Sequence, residues 1–205
     1  ALITLWKTHG VTDPVVVYPP VNLDKFWCDK PLSQRTRRVV YVARFIPAKR
    51  HEILKRLAGD LPQFEFVSVG GLIEAEKPWF ERFSQNLPPN YHLKPNLPTT
   101  ELLELLQDSR IYVHLMQGEH FGIAPVEGLA SGCVTVVHDS GGMKEFIPEE
   151  YRWGDYDDLM DKILRFMEAE SVWALKLREL WGKIGILKPE TFENNIWMNI
   201  EALIK

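Results

Sequence analysis

Gly118-Glu119-His120-Phe121-Gly122-Ile123-Ala124-Pro125-Val126-Glu127-Gly128-Leu129-Ala130-Ser131-Gly132 is the stretch from which the fold is read. An apolar run, Ile111–Met116, precedes it and reads as a buried strand, and another, Cys133–Val137, follows it. A short loop and a helix fit between them. Pro125 suits the first helical turn, where a missing N–H costs nothing. Val126, Leu129, Ala130 and Cys133 recur at helical spacing, and the small residues Gly128, Ala130 and Gly132 let the helix lie close on a sheet. Glu119 falls in the loop and Glu127 within the first turn. The amides of Phe121, Gly122 and Ile123 then point outward at the positive end of the helix dipole, a place suited to a phosphate or a sugar hydroxyl. Carboxylates beside it suit hydroxyl donors. On spacing alone, the two glutamates read more readily as caps and dipole partners than as ligand-binding groups.

The alternation extends outward from this stretch. Val39–Phe45, Phe64–Val69 and Tyr91–Leu93 read as strands. Lys49–Ala58, closed by Gly59-Asp60, then Glu74–Asn86, then Thr99–Gln107, capped by Thr99 or Thr100, read as helices. That rhythm implies an α/β fold: a Rossmann-like, doubly wound parallel sheet with helices on both faces. Its ligand belongs beyond the carboxyl ends of the strands. Toward the N-terminus, Leu2–Thr8 reads as a helix end, broken by Gly10 and Asp13-Pro14, and Val15–Tyr18 as a short strand stopped by Pro19-Pro20. Val21–Arg38 is a polar connection. Beyond Asp155 the strands stop, and Asp157–Glu170, Val172–Lys183 and Glu190–Ile204 read as helices, the last with Phe192, Ile196, Ile200 and Leu203 on one face. The chain divides into a connection (1–38), a Rossmann-like core (39–154) and C-terminal helices (155–205).

A hydrophobic content of 45% over 205 residues supports one substantial core. The formal net charge of −4 argues against a nucleic-acid partner. Cys28 and Cys133 lie far apart and suit a reducing compartment, so the cytoplasm is the expected location. The six histidines are scattered without metal-ligand spacing. The absence of an initiator Met before Ala1 suggests a cut fragment.

Glu119 and Glu127, with Glu-His-Phe-Gly-Ile around the first, Ala130-Ser131-Gly132 after the second and then Gly141-Gly142-x-x-Glu145, resemble the E-x7-E region of retaining glycosyltransferases of the GT-B fold, family 4 or glycosyl transferases group 1. That family includes sucrose synthases and bacterial mannosyltransferases. Tyr18-Pro19-Pro20-Val21 and Glu-His-Phe-Gly-Ile look most like the α-1,2-mannosyltransferases that extend dolichol-linked oligosaccharides from GDP-mannose. The resemblance runs from about Val15 to the C-terminus, the nucleotide-sugar-binding half of a two-domain enzyme.

The resemblance implies roles. Arg44 and Lys49 match an Arg-x4-Lys signature that clamps the donor diphosphate, and two cations at a strand end suit that anion. Ala43 stands where the family often has Gly. Glu127 would accept from ribose hydroxyls. Glu119 would orient the donor sugar and stabilise positive charge at the anomeric carbon, so that Glu119, Lys49 and Arg44 form the catalytic set. Retention is ascribed in this family to same-face attack, with the leaving phosphate helping to deprotonate the acceptor. Phe121, Gly122 and Ile123 would hold the β-phosphate or sugar through their amides. His120 belongs to the same loop, more a loop residue than a general base. Gly70 belongs to a glycine pair that would let backbone approach the nucleotide, and Leu97 to the segment that reads the base. Glu145 would fix its own loop. The partner molecules implied are a GDP- or UDP-linked hexose and a missing N-terminal domain, with no cofactor and no metal, and the full-length enzyme is expected to associate peripherally with the cytoplasmic face of a membrane. The fragment alone is expected to be inactive and to expose apolar residues such as Leu5, Trp6 and Trp197. A nucleotide-binding module acting through a partner chain is the alternative. A sugar-nucleotide epimerase is disfavoured by the two motifs.

Overall fold

Strands buried on both faces of a sheet must be apolar along their length, as the central ones are here, and six strands in all pair into one parallel sheet. The computed structural model describes residues 8–10, 15–168 and 171–204. After a short helix α1 (Leu23–Phe26) come β1 (Thr36–Val42), α2 (His51–Asp60), β2 (Glu65–Gly70), α3 (Lys77–Phe83), β3 (Tyr91–Pro95), α4 (Thr99–Asp108), β4 (Ser109–His114), α5 (Ile123–Ala130), β5 (Val134–His138) and β6 (Arg152–Trp153). Three helices close the chain: α6 (Tyr156–Glu168), α7 (Ser171–Ile184) and α8 (Pro189–Ile204). The strand order is β3-β2-β1-β4-β5-β6, and every pairing is parallel. The order reverses between β1 and β4. With right-handed crossovers, the two halves therefore wind onto opposite faces.

The centre of the sheet carries the core. Val39, Val40 and Tyr41 of β1, and Ile111, Tyr112 and Val113 of β4, are fully buried. Both strands begin earlier than hydropathy suggests, because polar residues at their starts are neutralised locally. Arg37 lies over the Phe64 ring, 5.0 Å from its centre, and Arg38 pairs with Glu65 at 2.9 Å. Ser109 Oγ donates to Leu105 O, and Arg110 Nη1 donates to Met167 O at 2.6 Å. Phe45 lies past the end of β1 yet is fully buried.

Other expectations need correction. Val15–Tyr18 forms no strand: Val15 and Val16 are exposed, and Tyr18 is held through its side chain instead. Neither Thr99 nor Thr100 caps α4. Pro98 occupies the cap, so Thr99 is already helical and its hydroxyl cannot serve the turn it belongs to. Gly59 and Asp60 lie inside α2 rather than beyond it. The helix expected over Glu74–Asn86 is a 3₁₀ turn, Glu74–Glu76, followed by α3. The two-residue edge strand β6 is too short to carry a periodic signal. The helix end at Leu2–Thr8, Thr8 apart, and the side chains of Leu5 and Trp6 lie outside the described residues.

The three C-terminal helices form as expected. Leu159, Ile163, Phe166 and Met167 bury α6 against the sheet. On α8, by contrast, Trp197 and Met198 are 64% and 68% exposed.

The helix of the opening stretch packs on β4 with no slack. A Cβ on Gly128 would lie 2.5 Å from the ring of the fully buried Tyr112. In an open helix, Gly→Ala gains about 1 kcal/mol. Overpacking against a buried ring costs about 1–3 kcal/mol, so the sign should reverse. Gly128→Ala is expected to lower the urea midpoint of unfolding, and an unchanged or raised midpoint would mean that α5 can lift off the sheet freely.

Candidate nucleotide-sugar site

The loops that leave β1 and β4 emerge side by side, because the two strands are neighbours and parallel. After β1 the backbone follows the end of β2: Ala43 N–H donates to Val69 O, and Phe45 N–H to Gly71 O at 2.9 Å. A 3₁₀ turn, Pro47–Lys49, then leads to Arg50, whose φ of 57° bends the chain into α2. Arg44 is exposed, and its guanidinium forms no ion pair among the described residues. Lys49 leans across the crevice.

The loop after β4 is fixed by a second glycine pair. Gly142 N–H donates to Glu119 O at 2.8 Å. A Cβ on Gly141 would meet Glu119 O at 2.1 Å, and one on Gly142 would meet His120 O at 1.9 Å. Only glycines let these two backbones touch. Gly118 N–H donates to Ser140 Oγ at 2.7 Å, a further tie to the same loop. Gly122, with φ 86°, then starts α5. The amides of Phe121, Gly122 and Ile123 have no acceptor among the described residues, which is the normal state of a helix start. The Phe121 ring packs against Tyr18 and Phe146, and the Tyr18 hydroxyl donates to Glu145. Glu145 thus holds the loop.

Lys49 Nζ stands 3.4 Å from Glu119 Oε2 and joins the two loops. His114, the last residue of β4, faces the same oxygen with Nε2 at 3.4 Å. The geometry of that contact falls short of a hydrogen bond, and neither ring nitrogen of this buried histidine has a hydrogen-bond partner among the described residues. Glu119 is pulled down to about 2, first by the His114 ring nitrogen, against burial, and then by Lys49. It is a carboxylate at any physiological pH. Arg44, Lys49, His114, Glu119 and the chain from His120 to Pro125 line one cavity of about 620 Å³. Two cations and a helix N-terminus against one carboxylate leave a net positive site.

The structure therefore brings together Arg44, Lys49, Glu119, His120, Phe121, Gly122 and Ile123. Three other candidates lie apart from that lining. Gly70 is where Ala43 crosses β2: a Cβ would sit 1.8 Å from Ala43 O, so the glycine serves a backbone crossing. Leu97 borders a different groove, beside Arg38, Glu104 and Asp108. Glu127 is the fifth residue of α5, in its second turn rather than its first. Its carboxyl is mostly withdrawn from water and raised to about 7 by that burial, with Lys25 opposing. Sequence reasoning missed His114 and His51. His114 closes a strand and His51 opens a helix that were both recognised, but a lone histidine carries no spacing signal. Among the described residues, no group of three or more His, Cys, Asp or Glu side chains is disposed to hold a metal ion.

The two glutamates act on stability with opposite sign. Glu119 is depressed below its ordinary 4.5, so its contribution is present above that value and is lost as pH falls toward about 2. Glu127 is raised, so folding is favoured below about 4.5 and that advantage is lost as pH rises through about 7. Glu127→Gln should therefore stabilise the chain by about 1–2 kcal/mol at about pH 8, with the gain vanishing below about pH 4.5. Denaturant titrations at the two pH values decide it, and a variant less stable at the higher pH would contradict the assignment.

The sequence and the fold of this chain are matched by known proteins. The model of the family "Glycosyl transferases group 1" matches residues 27–187. The human GDP-Man:Man(3)GlcNAc(2)-PP-Dol alpha-1,2-mannosyltransferase is 27% identical over 234 residues, covering 100% of this chain and 46% of the human protein. Its mouse counterpart is 31% identical over 162 residues, 70% of this chain and 32% of that protein. This chain spans less than half the length of these relatives. Among solved structures, HepE of Anabaena, in complex with UDP and glucose, superposes with a TM-score of 0.76 at 17% identity, over 91% of this chain and 56% of that one. Sucrose-phosphate synthase of Thermosynechococcus elongatus gives 0.75 at 22%, over 93% and 52%. The family match places this α/β chain in the glycosyl transferases group 1, and its parallel, Rossmann-like sheet is the fold it shares with GT-B glycosyltransferases of known structure.

Proposed function

We propose that the chain is the donor-binding half of a retaining hexosyltransferase that takes mannose from GDP-mannose and passes it to a lipid-linked sugar acceptor. The observation that carries this reading is the meeting of Lys49 and Glu119 at 3.4 Å inside the cavity where the sheet order reverses. The relatives' names supply the donor and the acceptor class. Arg44, Lys49 and the start of α5 meet the diphosphate and stabilise it as it leaves, without need of a metal ion. Glu119, ionised at neutral pH, cannot be a general acid. It accepts hydrogen bonds from sugar hydroxyls and opposes the positive charge that develops at the anomeric carbon. Glu127, raised to about 7, can donate or accept toward a ribose hydroxyl.

The acceptor belongs to a second domain. Trp197, Met198 and Ile204 of α8 are the exposed apolar surface such a domain would cover. Holding acceptor and donor in line supplies a large part of the barrier reduction, so this half alone should transfer no sugar. With a lipid-linked acceptor the working enzyme would act at a membrane surface, in this reading its cytoplasmic face; no helix among the described residues is long and apolar enough to cross a membrane.

Calorimetry with GDP, UDP and GDP-mannose tests the reading. The chain should bind GDP in the presence of EDTA. Arg44→Ala and Lys49→Ala should each weaken binding by about 10-fold or more, the worth of one charge-assisted hydrogen bond. Parent-like affinity in both variants, or binding that needs added Mg²⁺, would overturn it.

A further inference from the structure

His51 opens α2 and is wholly buried, two residues beyond Lys49. Its imidazole folds back beneath the turn that carries Arg44 and Lys49. Nε2 lies 3.0 Å from Arg44 O, and Nδ1 lies 3.0 Å from Ser68 Oγ. Ser68 Oγ in turn lies 2.7 Å from the Tyr91 hydroxyl. The roles in this chain are forced. A carbonyl only accepts, so Nε2 carries the proton and donates to Arg44 O. Burial holds the ring down to about 4, with the Arg44 carbonyl opposing and Lys49 assisting, so the imidazole is neutral and Nδ1 is bare. Nδ1 then accepts from the Ser68 hydroxyl, which accepts from Tyr91. The Phe45 ring stacks on the imidazole at 4.9 Å, and Tyr41 packs against it at 5.1 Å.

The other end of the same turn is held in the same way. The hydroxyl of Tyr41, a residue of β1, donates to Lys49 O at 2.7 Å. The segment that supplies both cations is thus fastened from below at each end, by donors that never reach the cavity. A flexible turn would have to be ordered when an anion binds, and a fastened one is ordered beforehand.

We propose that His51 is a positioning residue for the diphosphate: by holding the Arg44 carbonyl it sets the turn from which Arg44 and Lys49 reach the anion. This rests on the nucleotide-sugar reading above.

Two substitutions separate positioning from simple packing. In His51→Gln the amide nitrogen reaches the place of Nε2 and can still donate to Arg44 O. In His51→Asn the amide reaches only the place of Nδ1, keeping Ser68 and losing Arg44. Both remove the ring, so both should lower the unfolding midpoint to a similar extent. GDP affinity, measured by calorimetry on folded protein, should stay within about threefold of the parent in the Gln variant and fall by about 10-fold in the Asn variant, the worth of one hydrogen bond. Equal affinities in the two variants, with the parent binding GDP, would overturn the proposal alone. A parent that does not bind GDP would overturn the nucleotide reading and this proposal with it. If either variant fails to fold, ¹⁵N spectra of the parent imidazole decide: an Nε2-protonated His51 is required, and an Nδ1-protonated one contradicts the proposal.

Discussion

The reversal of strand order between β1 and β4 is the constraint on which the molecule depends. Crossovers from the two strands must diverge there, and the space left between them is a crevice that neither half of the sheet can fill. Lys49 and Glu119 come from loops about seventy residues apart in the chain, yet they meet because their strands are adjacent and parallel. The surrounding features serve that meeting. Gly141 and Gly142 let a third loop press on Glu119 and His120. Gly128 lets α5 sit close on β4, which aims the helix start into the same space.

The electrostatics of the crevice separate two chemically identical groups. Glu119 is held ionised by His114 and Lys49, and Glu127 is pushed toward its neutral form by burial alone. Environments that drive like groups apart are a recurring way for a site to give them different tasks. The polar groups beneath the crevice do the reverse and stay fixed. His51, Ser68 and Tyr91 form a hydrogen-bonded line in the core, and their buried polarity is compensated group by group. His114 is the exception: its buried ring nitrogens have no hydrogen-bond partner among the described residues, beside the carboxylate that would meet the sugar.

Much of this was legible in the sequence for physical reasons. Runs such as Ile111–Met116 are apolar because parallel strands are buried on both faces, so the alternation of strand and helix declared the fold. The glycines and the two glutamates of Gly118–Gly132 were legible because close backbone approach and a helix start impose residue types at fixed spacing. What was lost depends on contacts between distant segments. Arg37, Arg38, Ser109 and Arg110 look like loop residues until Phe64, Glu65, Leu105 and Met167 are seen beside them. Val15–Tyr18 has a strand's composition and no strand partner. Gly70 looks like a ligand-facing glycine, and only the course of Ala43 above it reveals a backbone crossing. His51 and His114 are single residues whose meaning comes wholly from what surrounds them.

The central claim is that the crevice at the β1–β4 reversal receives the diphosphate. Amide chemical shifts of the ¹⁵N-labelled chain, followed during titration with GDP, test it most directly. The account predicts that the largest changes fall on Ala43–Lys49 and on Phe121–Ala124, the two segments that line the cavity around Glu119. Changes centred instead on the neighbouring hollow between Arg50, Trp153 and Tyr156, with those two segments unmoved, would contradict it.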